Sequence, residues 1–280
     1  MTSAQTSARA TKGGGIRRPP SSSLRDRVLA SPWTYRFLVL LIIGGTWEAF
    51  ARMAKLLLVP TFLDTATGVV ELIVDPKVWT AFLVSNQALV IGFALAVLFG
   101  IPLGLVAARY RRAEGFIDPY LNILLVTPMA ALIPILLMSL GIGLASRVFL
   151  VIVFAIPVII VNARAGVRQV DPELIEMATS YGASEREIWR KILLPGALPA
   201  IMTGVRLGLG RGVTGMVIIE LLMVAVGIGG LILNFQGRFQ AALLYALVVL
   251  VVIEALVLVQ LVRYVEHRVA PWASQTVLRE

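Results

Sequence analysis

Residues 171–199 read DPELIEMATSYGASEREIWRKILLPGALP, and this segment decides how the rest of the chain is interpreted. It is polar, it carries charges of both signs, and it lies between two long apolar runs. A polar surface held between membrane spans is a place where a water-soluble partner can bind. The segment therefore predicts a contact site for such a partner.

The first half of the segment predicts a short helix. Asp171 suits the N-cap position, and Pro172 suits the first helical position, where a missing N–H leaves no hydrogen bond unmade. Gly182 predicts the end of this helix, because glycine accepts the left-handed backbone on which helices often end.

The second half predicts another helix. Ser184 and Glu187 have the spacing of a capping box, in which each residue satisfies a backbone N–H of the first turn. Pro195 and Pro199 predict the end of this helix, because proline removes a hydrogen bond and clashes with the preceding turn. Together the two halves predict a compact helix–turn–helix with one polar side.

The spacing of this segment resembles the EAA loop of permease subunits from bacterial ATP-binding-cassette importers. The pattern of that loop is Glu-Ala-Ala, three residues, Gly, nine residues and then Ile-x-Leu-Pro. Met177 stands where the pattern has its first Ala, a mild change because Met is also a good helix former. The matching positions in this chain are Glu176, Ala178, Gly182, Ile192, Leu194 and Pro195.

A wider resemblance runs over residues 83–264, and it points to the branch of this family that takes up nitrate, sulfonates and taurine. The phrases LIEMA at 174–178 and LPGALP at 194–199 carry it. The resemblance implies an all-α membrane protein of about six transmembrane helices, with the MetI-like permease fold of type I importers and a cytoplasmic coupling helix.

The resemblance also implies which residues couple this chain to an ATPase. Glu176 would pair with an arginine of the ATPase or cap the neighbouring helix, and Ala178 would let the partner approach closely. Leu174 and Tyr181 would offer apolar contact area, and Gly182 would supply the turn. A rival interpretation is that the segment only ties two spans together. The full set of predicted coupling residues is Leu174, Glu176, Ala178, Tyr181, Gly182, Ile192, Leu194 and Pro195.

Composition supports a membrane protein. The chain has 280 residues, of which 58% are hydrophobic, and its mean hydropathy is +0.88. Several uncharged runs approach the ~20 residues that span a bilayer, which argues against a large soluble core. The chain has no cysteine, so disulfides and thiolate metal sites are excluded. Its one histidine, His267, lies near the end, which argues against a zinc centre or a Ser-His-Asp triad.

Six spans and two tails are predicted. A basic, disordered N-terminal tail covers 1–34, a transmembrane permease domain 35–265, and a C-terminal tail 266–280. Within the domain, 83–264 is the core and 168–199 is the coupling loop, and a short helix is expected over 65–74. The third span is broken by Pro128 and Pro134, and the fourth contains Pro157. The spans are 35–53, 83–108, 120–140, 148–162, 200–225 and 241–262.

Basic residues cluster on one side of these spans, and cytoplasmic loops are enriched in Lys and Arg. The N-terminal tail carries seven between Arg9 and Arg36, and more lie in the second-to-third loop, the coupling loop and the C-terminal tail. Both termini and the coupling loop are therefore predicted to be cytoplasmic, in a bacterial inner membrane. The net charge of +9 then reflects topology, and no nucleic acid is expected as a partner. The other loops carry only Lys55, Lys77, Arg147 and Arg238.

The sequence has no Gly-x-x-x-x-Gly-Lys-Ser/Thr phosphate loop. The chain is therefore expected to be no enzyme and to bind no cofactor or metal, with ATP and Mg²⁺ held by separate ATPase subunits. The resemblance adds an extracytoplasmic solute-binding protein, a second permease copy and membrane lipid as partners. It implies a small anionic cargo, such as a sulfonate, taurine or nitrate.

Charged residues inside spans are candidates for the translocation path, because burying a charge in a bilayer costs at least about 2.5–3.5 kcal/mol. Arg211 and Glu220 are the predicted path residues. They are nine residues apart, roughly 13 Å along a helix, so they are not expected to pair. The alternative is a structural ion pair of Arg211 with Glu254 or Glu48.

Two rival classes remain at this point. An ion-coupled secondary transporter would show internal repeats and a midplane carboxylate cluster, and no second copy of the 171–199 pattern is present. A non-transporting membrane scaffold would need no helix–turn–helix between two spans. Co-purification with an ATPase separates both of these classes from an importer subunit.

Overall fold

The computed structural model describes residues 32–54, 56, 58–223 and 226–271. The predictions for residues 1–31 and 272–280, which make up most of the two tails, lie outside the described residues.

The described residues form helices and no strand. In chain order the elements are α1 Pro32–Ala54, α2 Phe62–Val74, α3 Pro76–Arg109, α4 Arg111–Val126, a 3₁₀ turn Met129–Leu132, α5 Ile133–Leu140, α6 Leu144–Arg168, α7 Pro172–Ser180, α8 Glu185–Ile188, a π segment Trp189–Leu193, α9 Leu194–Met223, α10 Gly227–Gly237 and α11 Ala241–Val269.

Five helices of the described chain are long and apolar enough to cross a membrane: α1, α3, α6, α9 with the turns before it, and α11. A sixth span forms if α4 and the segment Met129–Leu140 count as one, and these two pieces meet at an angle of 96°. The bend falls at Pro128, one of the two prolines expected to break the third span. The predicted all-α membrane fold of about six spans is confirmed.

Helix α6 is the centre of the bundle, and it packs most extensively against α3 on one side and α9 on the other. Its Leu150, Val151 and Ile159 are fully buried. The outer helices instead expose apolar side chains, such as Leu40 on α1, as expected for surfaces that face lipid. The core therefore lies between three helices that are adjacent in space but distant in sequence.

Glycines allow these three helices to approach closely. A Cβ on Gly208 of α9 would lie 2.7 Å from the side chain of Ile159, and a Cβ on Gly100 of α3 would lie 2.9 Å from the same residue. On Gly104 a Cβ would lie 2.6 Å from the carbonyl oxygen of Ile160, which belongs to the backbone. Small residues are the usual means by which transmembrane helices come into contact, and these three glycines serve that purpose here.

We expect Gly104→Ala to destabilise the subunit, because the new methyl group meets backbone that cannot move without separating α3 from α6. Such overpacking costs on the order of 1–3 kcal/mol. Thermal unfolding of the detergent-solubilised protein measures it. Gly115→Ala on α4 is the matched control, because a Cβ there meets nothing within 4 Å. An unchanged melting temperature for Gly104→Ala would contradict the close packing of α3 on α6.

Several elements differ from the predictions. Helix α3 begins at Pro76 rather than near residue 83, because the Asp75 side chain accepts a hydrogen bond from Lys77 N at 2.8 Å and caps the helix earlier. Helix α10 was not predicted at all. Helix α11 continues to Val269, so the predicted C-terminal tail begins inside this helix.

Candidate functional site

Helix α7 has the ends that its sequence predicts. The Asp171 side chain accepts a hydrogen bond from Glu173 N at 2.9 Å. At the other end Gly182 has a φ of +77°, and its N–H donates to Thr179 O at 2.9 Å. The N–H of Ala183 donates to Ala178 O at 3.0 Å, which completes a Schellman motif. These bonds fix the direction in which the chain leaves α7.

The second half of the loop begins as predicted but does not end as predicted. Ser184 N donates to the Glu187 carboxylate at 3.1 Å, so the capping box is confirmed. The expectation that Pro195 and Pro199 end this helix is wrong, because α8 continues through the π segment into α9. Pro195 has no N–H to donate to the carbonyl of Lys191, and its ring would clash with that carbonyl in a regular α-helix. The wider π turn over Trp189–Leu193 accommodates the ring, so the helix continues.

Helix α7 presents two different faces. Leu174, Met177 and Tyr181 are spaced three and four residues apart and lie on one face. They are 46%, 53% and 86% exposed, respectively. We call these three residues the outer face. An exposed apolar strip on a polar loop is a surface for a protein partner. Met177, the residue that departs from the family pattern, belongs to this face.

The inner face of α7 packs on the chain itself. Ile175 and Ala178 contact a cluster that includes the buried Val167 of α6, Ile188 of α8 and Leu193 of the π segment. Ala178 packs against the subunit's own core and is also partly exposed, so its role as a point of close approach for a partner stays a prediction. The cluster seats the loop on the ends of α6 and α9.

The remaining predicted coupling residues divide in the same way. Ile192 and Pro195 are half-buried, and Leu194 is 37% exposed, so this part of the pattern lies mainly where the loop joins α9. Glu176 is exposed, and no hydrogen bond of its side chain is found within the described residues. The expectation that it caps a neighbouring helix is therefore not met there, and its carboxylate faces solvent.

Ion pairs reinforce the seating of the loop. Arg109, the last residue of α3, donates to both carboxylate oxygens of Glu185 at 2.9 and 3.1 Å. A bidentate pair of this kind holds direction as well as distance. Arg168 at the end of α6 pairs with Glu114 of α4. The loop is thus attached to α3 by charge and to α6 and α9 by apolar contact.

The two predicted path residues lie in opposite environments. Arg211 is exposed on α9, whereas the side chain of Glu220 is completely buried. The alternative partners of Arg211 are engaged elsewhere: Glu254 accepts a hydrogen bond from Asn86, and Glu48 pairs with Arg52. Within the described chain, Arg211 therefore has no ion-pair partner.

Glu220 joins four helices at the end of the bundle opposite the loop. Its carboxylate accepts from Ser85 Oγ of α3 at 2.7 Å and from Gly229 N of α10 at 3.1 Å. Arg147 of α6 lies 3.5 Å away and also donates to the Val84 carbonyl at 3.0 Å. Ser85 Oγ in turn accepts from the N–H of Ile228 at 2.9 Å. A place on the path does not fit a carboxylate enclosed in this way, and we assign it a structural role.

Fold and loop together define the class of this protein: a multi-pass membrane permease with a seated helix–turn–helix on one side. The model of one family, described as binding-protein-dependent transport system inner membrane component, matches residues 100–271. The chain belongs to this family of permease components of ABC importers, which act with ATPase and binding-protein partners.

Named relatives lie in the predicted branch. The chain is 30% identical over 271 residues to the taurine transport system permease protein TauC of Escherichia coli (strain K12), covering 91% of this chain and 98% of the relative. It is 26% identical over 244 residues to the putative aliphatic sulfonates transport permease protein SsuC of Bacillus subtilis (strain 168), covering 86% and 88%. The resemblance to the nitrate, sulfonate and taurine branch is confirmed.

A solved structure agrees with the fold. The MetNI methionine ABC transporter in an inward-facing conformation superposes with a TM-score of 0.52 at 23% identity, covering 70% of this chain and 94% of the matched chain. The predicted MetI-like permease fold is confirmed.

Proposed function

We propose that this chain forms the translocation path of an ATP-driven importer for a small anionic solute of the sulfonate, taurine or nitrate type. ATP and Mg²⁺ are bound by separate ATPase subunits, and the solute is delivered by an extracytoplasmic binding protein. Two copies of the chain enclose the path. This subunit breaks no bond and binds no cofactor or metal.

The outer face of α7 carries this proposal. Leu174, Met177 and Tyr181 offer apolar area at the surface of a loop that is rigidly attached to α3, α6 and α9. A partner that binds this face and moves would displace three spans together, because the apolar cluster beneath α7 is close-packed and transmits displacement. Rigid-body motion of domains against one another is a common form of such switching. Gly182 turns the chain between the two halves of the loop, and Leu194 and Pro195 lie where the loop joins α9.

The distribution of basic residues supports the orientation. Arg109, Arg168, Arg186, Arg190 and Lys191 all lie at the loop end of the bundle, as the positive-inside rule expects of a cytoplasmic side. We therefore place the loop and both termini in the cytoplasm, within the bacterial inner membrane. An ATPase of the cytoplasm then has direct access to the outer face.

The proposed cargo rests on the relatives. TauC and SsuC are named for taurine and aliphatic sulfonates, which both carry a sulfonate group. A path for such solutes needs a fixed positive charge or hydrogen-bond donors and no unpaired carboxylate. The exposed guanidinium of Arg211 and the enclosed carboxylate of Glu220 agree with this requirement.

Reconstitution tests the proposal. The chain is co-expressed with the ABC ATPase and the solute-binding protein proposed as its partners, and the complex is placed in proteoliposomes. We expect uptake of labelled taurine or ethanesulfonate that requires both ATP and the binding protein. Uptake driven by an ion gradient without ATP, or a purified subunit that captures no ATPase, would contradict the proposal.

A further inference from the structure

Arg211 lies on a face of α9 that no other described helix covers. Leu207 is 52% exposed on this face, and Thr214 is exposed beyond Arg211. A Cβ placed on Gly210 would meet nothing within 4 Å. The opposite side of the same helix is closed, since Met216 and Ile219 are fully buried. The open face is defined here as Leu207, Gly210, Arg211 and Thr214.

The depth of Arg211 rules out an ordinary surface position. It lies 17 residues after Leu194 and 12 residues before Met223, the two ends of α9. At 1.5 Å per residue these separations are about 25 Å and about 18 Å. A cation at such a depth on a lipid-facing surface is costly, so intramembrane arginines normally face a water-filled cavity or a counter-charge.

Within the described chain, no carboxylate forms an ion pair with Arg211. Most carboxylates within or beside the spans pair with another arginine: Glu48 with Arg52, Glu114 and Asp118 with Arg164, Glu220 with Arg147, and Glu266 with Arg206. Glu254 differs, because it accepts a hydrogen bond from the neutral amide of Asn86 of α3, and its second carboxylate oxygen is buried without a partner.

We propose that Arg211, one from each of two copies, forms the anion-selective contact of the translocation path. This inference rests on the proposed function, which supplies the second copy and the path. A two-fold axis sets the same face of α9 from each copy around one path. The two guanidinium groups then face shared water at one level, and neither has an ion-pair partner among the described residues of its own copy.

The chemistry of the contact follows from the guanidinium group. Two fixed cations repel each other until an anion lies between them, so the empty site favours entry of a negative solute and disfavours a cation. The planar fork of arginine donates two hydrogen bonds to the oxygens of an oxyanion. The site therefore selects sulfonates and similar oxyanions by charge and by oxygen geometry. Leu207 adds an apolar surface suited to a short alkyl group.

Transport by variants of the complete complex tests the role of the charge. In proteoliposomes holding the permease, ATPase and binding protein, we expect Arg211→Gln to lower ATP-dependent uptake of ethanesulfonate by roughly tenfold or more. Arg211→Lys is expected to fall between Arg211→Gln and the unmodified chain, because lysine keeps the charge but lacks the two-donor fork. ATPase capture by the subunit remains unchanged in both variants. Normal uptake by Arg211→Gln would overturn the proposal.

Thiol chemistry tests the location without relying on transport. The chain contains no cysteine, so Arg211→Cys carries a single thiol. We expect a membrane-impermeant thiol reagent to modify it, a bifunctional maleimide to join two copies, and ethanesulfonate to slow the modification. Met216→Cys, on the buried side of α9, is the matched control and stays unmodified.

The two experiments separate the possible failures. A wild-type complex that takes up no ethanesulfonate contradicts the proposed function, whereas labelling and cross-linking still report where residue 211 lies. An Arg211→Cys thiol as unreactive as that of Met216→Cys would mean that residue 211 faces lipid or a closed contact. That result would overturn the inference even if the wild-type complex transports normally.

Discussion

Replacing Met177 and Tyr181 together by aspartate is expected to weaken both ATP-dependent uptake and the capture of ATPase strongly. Both side chains belong to the outer face of α7 and are more than half exposed, so the subunit keeps most of its internal contacts. An apolar partner surface that closes on two carboxylates would have to bury them unpaired, which is strongly unfavourable. We expect a loss of uptake of roughly tenfold or more, since interface anchors of this kind dominate binding.

The conservative pair Met177→Leu and Tyr181→Phe is the control for this experiment, because it keeps size and apolar character. It is expected to retain uptake and ATPase capture. The aspartate variant should unfold at the same temperature as the unmodified subunit, which separates lost coupling from lost folding. ATPase capture at the normal level by the aspartate variant would show that the partner binds elsewhere.

Replacing Glu220 by alanine is expected to cause the largest loss of stability of any single substitution considered. Removing the carboxylate leaves Arg147 without its ion-pair partner, and it leaves the N–H of Gly229 without an acceptor. Breaking a buried pair from one side costs about 3–5 kcal/mol. The Ser85 hydroxyl also loses the group that orients it toward Ile228. Thermal unfolding in detergent measures the effect.

Two variants make this prediction decisive. Glu173→Ala removes a carboxylate from an exposed position of α7 and is expected to leave the melting temperature unchanged. Glu220→Gln keeps an acceptor oxygen and is expected to fall between Glu220→Ala and the unmodified protein. An unchanged melting temperature of Glu220→Ala, combined with altered uptake, would return Glu220 to the translocation path.

Local signals were predictable from the sequence. Asp171, Gly182 and the Ser184–Glu187 pair each act through neighbours a few residues away, and the structure forms the caps that they predict. The effect of Pro195 was not predictable, because a single π turn absorbs it without ending the helix. Whether a proline ends a helix depends on whether the preceding turn can widen within its packing. The local sequence does not indicate this.

The different fates of Arg211 and Glu220 were only half predictable. Nine residues make two and a half helical turns, so the two side chains must lie on opposite sides of α9. The spacing alone therefore carries this signal. Which side would be covered depends on α3, α6 and α10, which come from distant parts of the sequence. Likewise, Ala178 matched its family position, yet its inward orientation follows from the partners of α7.

The shared cluster beneath α7 has a consequence for exchanging parts between related importers. The cluster joins residues of α6, α8 and the π segment, namely Val167, Ile188 and Leu193. The underside of the loop is therefore complementary to the helix ends of this particular subunit. A chimera that took only residues 171–182 from a related importer, in order to bind the ATPase of that importer, would gain the outer face. It would lose the complementary packing between α7 and the cluster beneath it. Loop and helix ends therefore form a single transplantable module, and the boundary for such a graft lies inside the spans.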